Sequence, residues 1–338
     1  CIDQYDFTIN RRSPASTITS AQKEFKSGDY LLVRRSLYGS DFRERAPRAD
    51  FDGCCSADIL TIRENPTYIA DGYLLFVLYS KQLWDFIVSN STGGLTRRIK
   101  WKQLADFEFT LPPLSEQKAL AEKLWAAYEV KQSYLKMIAA TEEMVKSQFV
   151  EMFGAVPKVK IEDYINTQSG GTPNTKKSEY YYGGDIPWLS SGEVNQGYID
   201  STEKFITEAG LNNSSAKWVP KDCVVVAMYG ATAGKVGYIR IPLTTNQAVC
   251  SLLPCNEFNS IYLYYAVSQK TDWMISQCRG AAQPNISQGI IRSMELPLPP
   301  MEQQEQFVRI AEQADKSLFE LKKSIAAIDG VIKSLING

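Results

Sequence analysis

The chain contains a glycine-rich segment whose residue types suggest nucleotide binding. It runs from Gly230 to Gly237 and includes Lys235. A P-loop needs four residues between its glycines and Ser or Thr directly after the lysine, because that hydroxyl binds Mg²⁺. Here three residues separate Gly230 from Gly234, and Val236 follows the lysine. We therefore expect a strand-to-turn loop whose backbone N–H groups and lysine bind a phosphate, not an NTPase site.

Two further segments match catalytic motifs only in part. Asn65-Pro66-Thr67-Tyr68 is close to the Asn/Asp-Pro-Pro-aromatic loop of DNA methyltransferases, but Thr replaces the second Pro and no glycine-rich cofactor loop lies upstream. Glu116-Gln117-Lys118 has the Glu-x-Lys spacing of metal-dependent nucleases. It opens a helical segment, however, with Ser115 as the expected N-cap, whereas a nuclease needs it on a strand. Neither segment predicts catalysis.

The sequence contains no histidine, which excludes Ser-His-Asp and Cys-His nucleophile pairs, His-ligated zinc and an H-E-x-x-H helix. Its seven cysteines include no Cys-x-x-Cys pair and no regular disulfide framework, which favours a reducing cytoplasm. No apolar run approaches the roughly 18 residues of a membrane span, and we expect no signal peptide. The composition thus predicts neither a catalytic site nor a metal site.

Arginine-rich segments near the start of the chain indicate binding to a polyanion. The net charge is only −1, but net charge averages over faces that can differ locally. The groups are Arg11-Arg12, the stretch from Arg34 to Arg48 with Tyr38 and Phe42 within it, and Thr96 to Lys100. A lone basic run is usually solvated surface. Three in one domain, interleaved with aromatic residues, favour phosphate and base contacts.

Two long helices must position these loops. Leu111-Pro112-Pro113 and Leu298-Pro299-Pro300 begin two similar stretches 187 residues apart. After each, apolar residues recur at alternating steps of three and four, a heptad seam that predicts a helix packed along one stripe. In the first stretch, Lys131 and Thr141 interrupt the seam. Because proline cannot lie inside a helix, each pair marks the point where a domain ends and a helix begins.

The repeat at this distance predicts a duplicated half and an α+β fold. We expect two globular mixed α/β domains joined and spaced by two helices that form an antiparallel coiled coil. An alternative is that one helix dimerises with a second chain. The predicted ranges are 1–110 for the first domain, 111–154 for the first helix, 155–297 for the second domain and 298–338 for the second helix. The first domain is the shorter, so we expect its beginning to be missing.

The two globular segments also align with one another. Lys26–Val33 corresponds to Val219–Val226. Buried strands are predicted at Tyr30–Val33 and at Asp222–Ala227. Thr96–Lys100 corresponds to Gln283–Ser287. The run Gly72–Val88 is compatible with either a strand or a helix. The apolar framework repeats and the polar loop residues do not. This pattern is what two readers of different sequences need.

Together these features resemble the specificity subunit of type I restriction-modification enzymes. The resemblance rests on the two Leu-Pro-Pro-(Leu/Met)-(Ser/Glu)-(Glu/Gln)-Gln helices, each after a variable domain. It also rests on four segments of the second domain: Gly171–Pro173, Gly184–Ser190, Gly230–Gly237 and Asn246-Gln247. It covers essentially the whole chain, but the first domain lacks the Gly-Thr-Pro and Asp-Ile-Pro-Trp counterparts.

The resemblance implies a non-catalytic subunit that recognises double-stranded DNA. Each domain would read one half of a split, asymmetric site, and the helices would set the unread spacer. The implied partners are two methyltransferase subunits that bind S-adenosylmethionine, and restriction subunits that use ATP and Mg²⁺. The chain itself would hold no cofactor and would work in a bacterial or archaeal cytoplasm, away from membranes. Two alternatives are a coiled-coil scaffold without base reading and a self-contained modification enzyme, which the missing motifs disfavour.

Side chains on the polar loops are the expected DNA contacts. Arg or Lys suits guanine, Asn or Gln suits adenine, and aromatic or Thr groups suit the thymine methyl. In the first domain the candidates are Arg34, Arg35, Tyr38, Arg43, Arg97, Arg98 and Lys100. In the second domain they are Thr172, Asn174, Lys176, Tyr229, Thr232, Lys235, Asn246, Arg279, Gln283 and Asn285.

Helix length provides the first prediction. Half-sites read from one side of B-DNA lie about one turn, roughly 34 Å, apart, and helices of roughly 55 Å could hold two readers at that spacing. Adding or deleting one heptad in the helices should therefore change the spacer and leave both half-site sequences unchanged. Mapping of the recognised DNA sequence checks this. An altered half-site with an unchanged spacer would contradict it.

Overall fold

The computed structural model describes residues 7–9, 22–35, 45–94, 96–278 and 285–337. The chain divides into two compact units: unit 1 contains 1–138 and 319–338, and unit 2 contains 139–318. Each unit therefore combines a globular part with segments of both long helices. This division cuts across the domain ranges predicted from sequence, which remain a prediction.

The predicted long helices are present, and the α+β class is confirmed. Helix α4 spans Leu114–Phe153 and helix α9 spans Met301–Asn337. Both start directly after a proline pair, three residues later than the predicted ranges 111–154 and 298–338. The carbonyl of the second proline accepts the first helical hydrogen bonds, from Gln117 N to Pro113 O at 3.0 Å and from Gln304 N to Pro300 O at 3.2 Å.

Unit 1 contains two small antiparallel strand pairs and three short helices in its described part. The strands are β1 (Gln22–Phe25), β2 (Tyr30–Val33), β3 (Gly53–Ser56) and β4 (Ile59–Ile62), with β1 paired to β3 and β2 to β4. The helices are α1 (Leu74–Leu78), α2 (Lys81–Asn90) and α3 (Trp101–Leu104). The ambiguous run Gly72–Val88 is thus helical. The Ser80 hydroxyl accepts a hydrogen bond from Leu83 N and caps α2.

Unit 2 is built around two mixed sheets. One has the order β6 (Thr167–Ser169), β14 (Val249–Leu252), β11 (Val224–Ala227), β12 (Val236–Ile239) and β8 (Tyr198–Ile199). The other has the order β10 (Trp218–Val219), β13 (Leu243–Thr245), β7 (Ile186–Leu189) and β9 (Lys204–Ile206), and β5 (Lys158–Lys160) pairs with β15 (Glu295–Pro297). The helices are α5 (Glu208–Asn212), α6 (Ser260–Ser268), α7 (Thr271–Ser276) and α8 (Gln288–Arg292). The predicted strand at 222–227 is β11, whose residues are all buried.

Aromatic side chains join the long helices to the core of unit 2. The Phe307 ring of α9 is fully buried. Its centroid lies 5.3 Å from that of Phe149 and 5.7 Å from that of Phe153, both on α4. From the globular part, the Tyr265 ring on α6 lies 5.4 Å away. The helices therefore complete this core, because their apolar stripe covers one of its faces.

The helices also complete the core of unit 1. Leu124 and Tyr128 of α4 share one buried cluster with Ile332 and Ile336 of α9 and with the side chains of α1 and α2. Lys131, which interrupts the heptad seam, is only 13% exposed, and its Nζ lies 2.8 Å from Asp329 Oδ1 of α9. The interruption is thus an ion pair between the two helices. Such a pair favours one register over a slipped one, as polar residues do in helical seams.

Phe307 provides a test of this packing. Phe307→Ala should lower the free energy of unfolding by about 3–5 kcal/mol, because removal of the ring leaves a cavity among four neighbouring rings. Urea denaturation measures the change. Phe319→Ala is the matched control on the same helix, since Phe319 is 66% exposed, and it should stay within about 0.5 kcal/mol. Equal effects of the two variants would contradict this account of the core.

Candidate nucleic-acid interface

The glycine-rich segment from Gly230 to Gly237 forms a turn between two antiparallel strands. A short 3₁₀ turn at Gly230–Thr232 follows β11, and the chain then enters β12. A P-loop instead leads into a helix. The N–H groups of Ala233, Gly234 and Lys235 already donate to carbonyls within this hairpin. The predicted phosphate contacts through these N–H groups are therefore wrong, and the exposed Lys235 side chain remains the candidate contact of this loop.

The other segments that partly match catalytic motifs also have structural roles. The Asn65 Oδ1 atom accepts a hydrogen bond from Thr67 N at 3.1 Å and closes a local turn. Glu116 lies in the first turn of α4. Burial raises the pKa of the Cys223 and Cys250 thiols to about 12, so both stay protonated at neutral pH. Within the described ranges, no group of three or more His, Cys, Asp or Glu residues is arranged to hold a metal ion.

Unit 1 brings two of the predicted arginine groups together. Arg35, after β2, and Arg98 form an antiparallel bridge, and Ile99 N donates to Arg34 O at 3.1 Å. Both guanidinium groups approach the Asp58 carboxylate, at 3.1 Å from Arg35 and 2.6 Å from Arg98. Two cations thus share one carboxylate. The Arg97 Nη2 atom donates to Ser91 O at 2.9 Å, and Lys100 lies exposed at the start of α3.

In unit 2, the loop that begins at Gly170 is attached to the ends of β7 and β13. Gly171 N donates to Thr245 O at 2.9 Å, and the Trp188 indole N–H donates to Gly171 O at 3.0 Å. The Thr172 hydroxyl donates a hydrogen bond to Oε1 of Gln247. Asn174 is exposed, and its Oδ1 atom accepts from the backbone N–H of Lys176, which is also exposed. These contacts bring Thr172 close to the loop that carries Asn246.

A second group of candidates lies after β11. Tyr229, which is 40% exposed, forms an antiparallel bridge with the exposed Asn285. The Thr232 hydroxyl donates to Ser191 O at 2.9 Å, so it positions the loop. Asn246 N donates to Leu189 O at 3.0 Å, and its Oδ1 atom accepts from Ala248 N. The segment 189–191 therefore connects both groups of candidate residues.

Sequence reasoning missed the residues that hold these loops. Glu193 is only 4% exposed, and its carboxylate accepts from Ser190 N, from the Ser190 hydroxyl and from Glu203 N at 2.7–2.9 Å. Its sequence signal was the Ser-x-x-Glu spacing of a capping box. Tyr181 donates to Pro173 O at 2.6 Å. Lys177, beside the same loop, donates to the Tyr180 hydroxyl, which holds the lysine pKa above its ordinary value.

The bridge in unit 1 and the bridge in unit 2 occupy equivalent places. Each follows a strand, β2 or β11, that pairs antiparallel with a later strand, β4 or β14. In unit 1 the backbone bonds are Arg34 N to Asp58 O and Ile99 N to Arg34 O, both at 3.1 Å. In unit 2 they run from Met228 N to Ala248 O at 2.8 Å and from Ile286 N to Met228 O at 2.9 Å.

The side chains at these equivalent bridges differ. Unit 1 presents Arg35 and Arg98, and unit 2 presents Tyr229 and Asn285. The alignment predicted from sequence between Thr96–Lys100 and Gln283–Ser287 agrees with this pairing at Arg98 and Asn285. Four of the predicted contacts, Tyr38, Arg43, Arg279 and Gln283, lie outside the described residues. The role of every candidate in binding stays a prediction.

The comparisons with known proteins agree with this architecture. The model of the type I restriction modification DNA specificity domain family matches residues 155–328. The chain belongs to this family. It is 29% identical over 194 residues to the type I restriction enzyme MjaIX specificity subunit of Methanocaldococcus jannaschii. It is 26% identical over 151 residues to the EcoR124I/EcoR124II specificity subunit of Escherichia coli.

These matches cover part of each protein. They span 54% and 43% of this chain, and 44% and 37% of the MjaIX and EcoR124I/EcoR124II subunits. The chain thus spans less than half the length of these curated relatives. The fold is also similar to that of the solved type I S subunit from M. genitalium, with a TM-score of 0.58 and 17% identity over 99% of this chain and 88% of that one. None of the helices in the described ranges is long and apolar enough to cross a membrane.

Gly170 tests how the first loop is held. A Cβ atom there would overlap the Thr245 carbonyl oxygen. Gly170→Ala should therefore displace the loop and destabilise the protein by about 1–3 kcal/mol, with faster amide exchange at residues 171–174. Gly192→Ala is the control, because the nearest atom to its Cβ would be Ser190 Oγ at 3.8 Å. Unchanged exchange in Gly170→Ala would show that the close approach does not hold the loop.

Proposed function

We propose that this chain is the non-catalytic subunit of a type I restriction-modification system that reads a bipartite, asymmetric site in double-stranded DNA. Each unit reads one half-site, and the paired helices α4 and α9 set the spacer. Two methyltransferase subunits bind S-adenosylmethionine and modify adenine. In systems that cleave, restriction subunits supply the ATP- and Mg²⁺-dependent steps. No cofactor is required of this chain itself.

One observation carries the proposal: the same loop-to-loop bridge occurs in both units with different polar side chains. Arg35 and Arg98 occupy it in unit 1, and Tyr229 and Asn285 occupy it in unit 2. A duplicated enzyme fold would be expected to keep the same functional groups at an equivalent place. A pair of readers of different sequences needs the same frame with different side chains. The family membership of the chain supports the same reading.

The chemistry of each bridge suits a particular kind of DNA contact. A guanidinium group can donate two hydrogen bonds to guanine O6 and N7, or bind a phosphate. Since Arg35 and Arg98 share Asp58, the carboxylate neutralises one charge, orients the two planes and leaves the other charge for the nucleic acid. Asn285 can pair with adenine N6 and N7, and the Tyr229 ring can contact a thymine methyl.

Lysines next to these groups would fix the protein on the duplex. Lys176 and Lys235 are exposed in unit 2, and Lys100 is exposed in unit 1. Contacts of this kind hold register and carry no sequence information. They release condensed counterions, so binding should weaken as salt rises, with a slope that falls by about 0.9 for each phosphate contact removed. A scaffold without base reading would lack both this slope and a sequence preference.

The test is the methylation pattern of a host that expresses the chain with its neighbouring methyltransferase gene. We expect methylated adenines in one split motif with two short, different halves and a fixed gap. Arg98→Ala should relax one half only, and Asn285→Ala the other half only, each reducing discrimination at the affected base pair by about 1–3 kcal/mol. No split motif in the wild type would reject the function.

The matched control is Lys81→Ala. Lys81 lies on α2 of unit 1, its side chain is 78% exposed, and its ammonium group pairs with Asp85 four residues along the same helix. The motif should stay unchanged in this variant. A single variant that altered both halves at once would contradict the assignment of one half to each unit.

A further inference from the structure

Each long helix has a buried glutamine in its first turn, four residues after the second proline of its Leu-Pro-Pro motif. In unit 1 this residue is Gln117, which is 1% exposed. Its Oε1 atom accepts from Ala70 N at 2.9 Å. Its Nε2 atom donates to Tyr68 O at 3.0 Å and to Pro112 O at 2.7 Å. One amide therefore joins the first turn of α4 to two backbone groups of the globular part.

Gln304 makes the same three bonds in unit 2. It is fully buried, and its Oε1 atom accepts from Asn259 N at 2.8 Å. Its Nε2 atom donates to Glu257 O and to Pro299 O, both at 2.9 Å. In both units one acceptor lies five residues before the glutamine. In both, the other two partners lie two residues apart. The duplication has thus preserved a complete hydrogen-bonding arrangement.

The backbone segment that each glutamine holds leads into a helix of the core. Asn259 caps α6, since its side chain accepts from Ile261 N and Tyr262 N, and the Tyr262 ring packs against Phe149 and Phe153. Ala70 lies just before α1, whose side chains share a buried cluster with Leu124 of α4. The glutamine therefore sits where the globular part, the long helix and the apolar core meet.

These hydrogen bonds fix the rotation and the axial position of the long helix relative to the globular part, which apolar packing alone does not fix. Hydrophobic attraction is not directional, so a slight turn or slide of a helix on the same core changes the buried apolar area little. A buried amide that loses its partners is penalised. The two bonds to the globular part form together at only one rotation and one axial position of the helix. A simple N-cap would accept from N–H groups of its own helix, whereas these glutamines bind backbone outside it.

We propose that Gln117 and Gln304 are positioning residues that make spacer length part of the recognised DNA site. This inference rests on the proposed function. Each glutamine sets the orientation in which a globular part leaves its helix, and the two settings together fix the distance and phase between the reading loops. Helix length would then set the average spacer length. The two amides would determine how strongly sites with a longer or shorter spacer are discriminated against.

The experiment compares methylation patterns of the full chain with its methyltransferase partner. The variants are Gln117→Met and Gln304→Met, which keep side-chain length and remove the hydrogen bonds. The controls are Lys118→Met and Gln303→Met, at the exposed neighbouring positions. For each protein, the methylated fraction is measured at sites with the wild-type gap and at sites whose gap is one base pair shorter or longer. Gln117→Asn and Gln304→Asn provide a second pair, because they retain an amide that falls short of its partners.

We expect both glutamine variants to keep the two half-sites and to methylate sites with altered gaps about tenfold more, relative to the wild-type gap, than the controls do. Tenfold corresponds to about 1.4 kcal/mol of lost discrimination. Methylation confined to the wild-type gap would overturn the proposal. So would an equal decline at all gaps, because lower stability alone leaves the ratio unchanged. Absence of a split motif in the wild type would reject the proposed function, and this inference with it, before any variant is compared.

Discussion

The fold of both units depends on burial of the apolar stripes of α4 and α9. In unit 2, Phe149, Phe153 and Phe307 enter the same core as the sheet residues of β11 and β14. In unit 1, Leu124, Tyr128 and Ile332 enter the core formed by α1 and α2. Neither globular part has a complete core without the helices. This explains why the compact units cut across the boundary between domain and helix predicted at each Leu-Pro-Pro.

The long helices were predictable because their signals are local. Proline pairs exclude a helical interior, and the alternating spacing of apolar residues specifies one buried stripe. The start at Leu114, and not at Leu111, follows from the same chemistry, since a proline disfavours helical backbone in the residue before it, and this applies to both Leu111 and Pro112. Lys131 looked like a defect in the seam. Its role became clear only with Asp329, which lies on the other helix and has no fixed sequence separation from it.

The sheets and the loop supports of unit 2 were less predictable. β7 pairs with β13 in parallel and β8 with β12 in parallel, and such pairings depend on the whole tertiary arrangement. Asn174, Tyr229 and Asn285 could be chosen as candidate contacts because they are polar or aromatic residues in turn-rich segments. The roles of Trp188 and Gln247 could not be predicted, because their hydrogen-bond partners, Gly171 and Thr172, are distant in sequence. Glu193 had only the local signal of a capping box, which does not predict its bond from Glu203 N. Comparison of the two halves was the stronger guide, since it aligned Arg98 with Asn285.

The two bridges suggest an unequal division of labour in the proposed reading of DNA. Arg35 and Arg98 can act through charge as well as through base edges, and their shared Asp58 neutralises one of the two charges. Tyr229 and Asn285 carry no charge, so unit 2 would depend on shape and hydrogen bonding, with Lys176 and Lys235 supplying attraction nearby. A net charge of −1 is compatible with this arrangement because screening confines electrostatic effects to about 8 Å at physiological salt. What matters is the local charge on each loop, and the framework keeps these loops in equivalent places while their side chains differ.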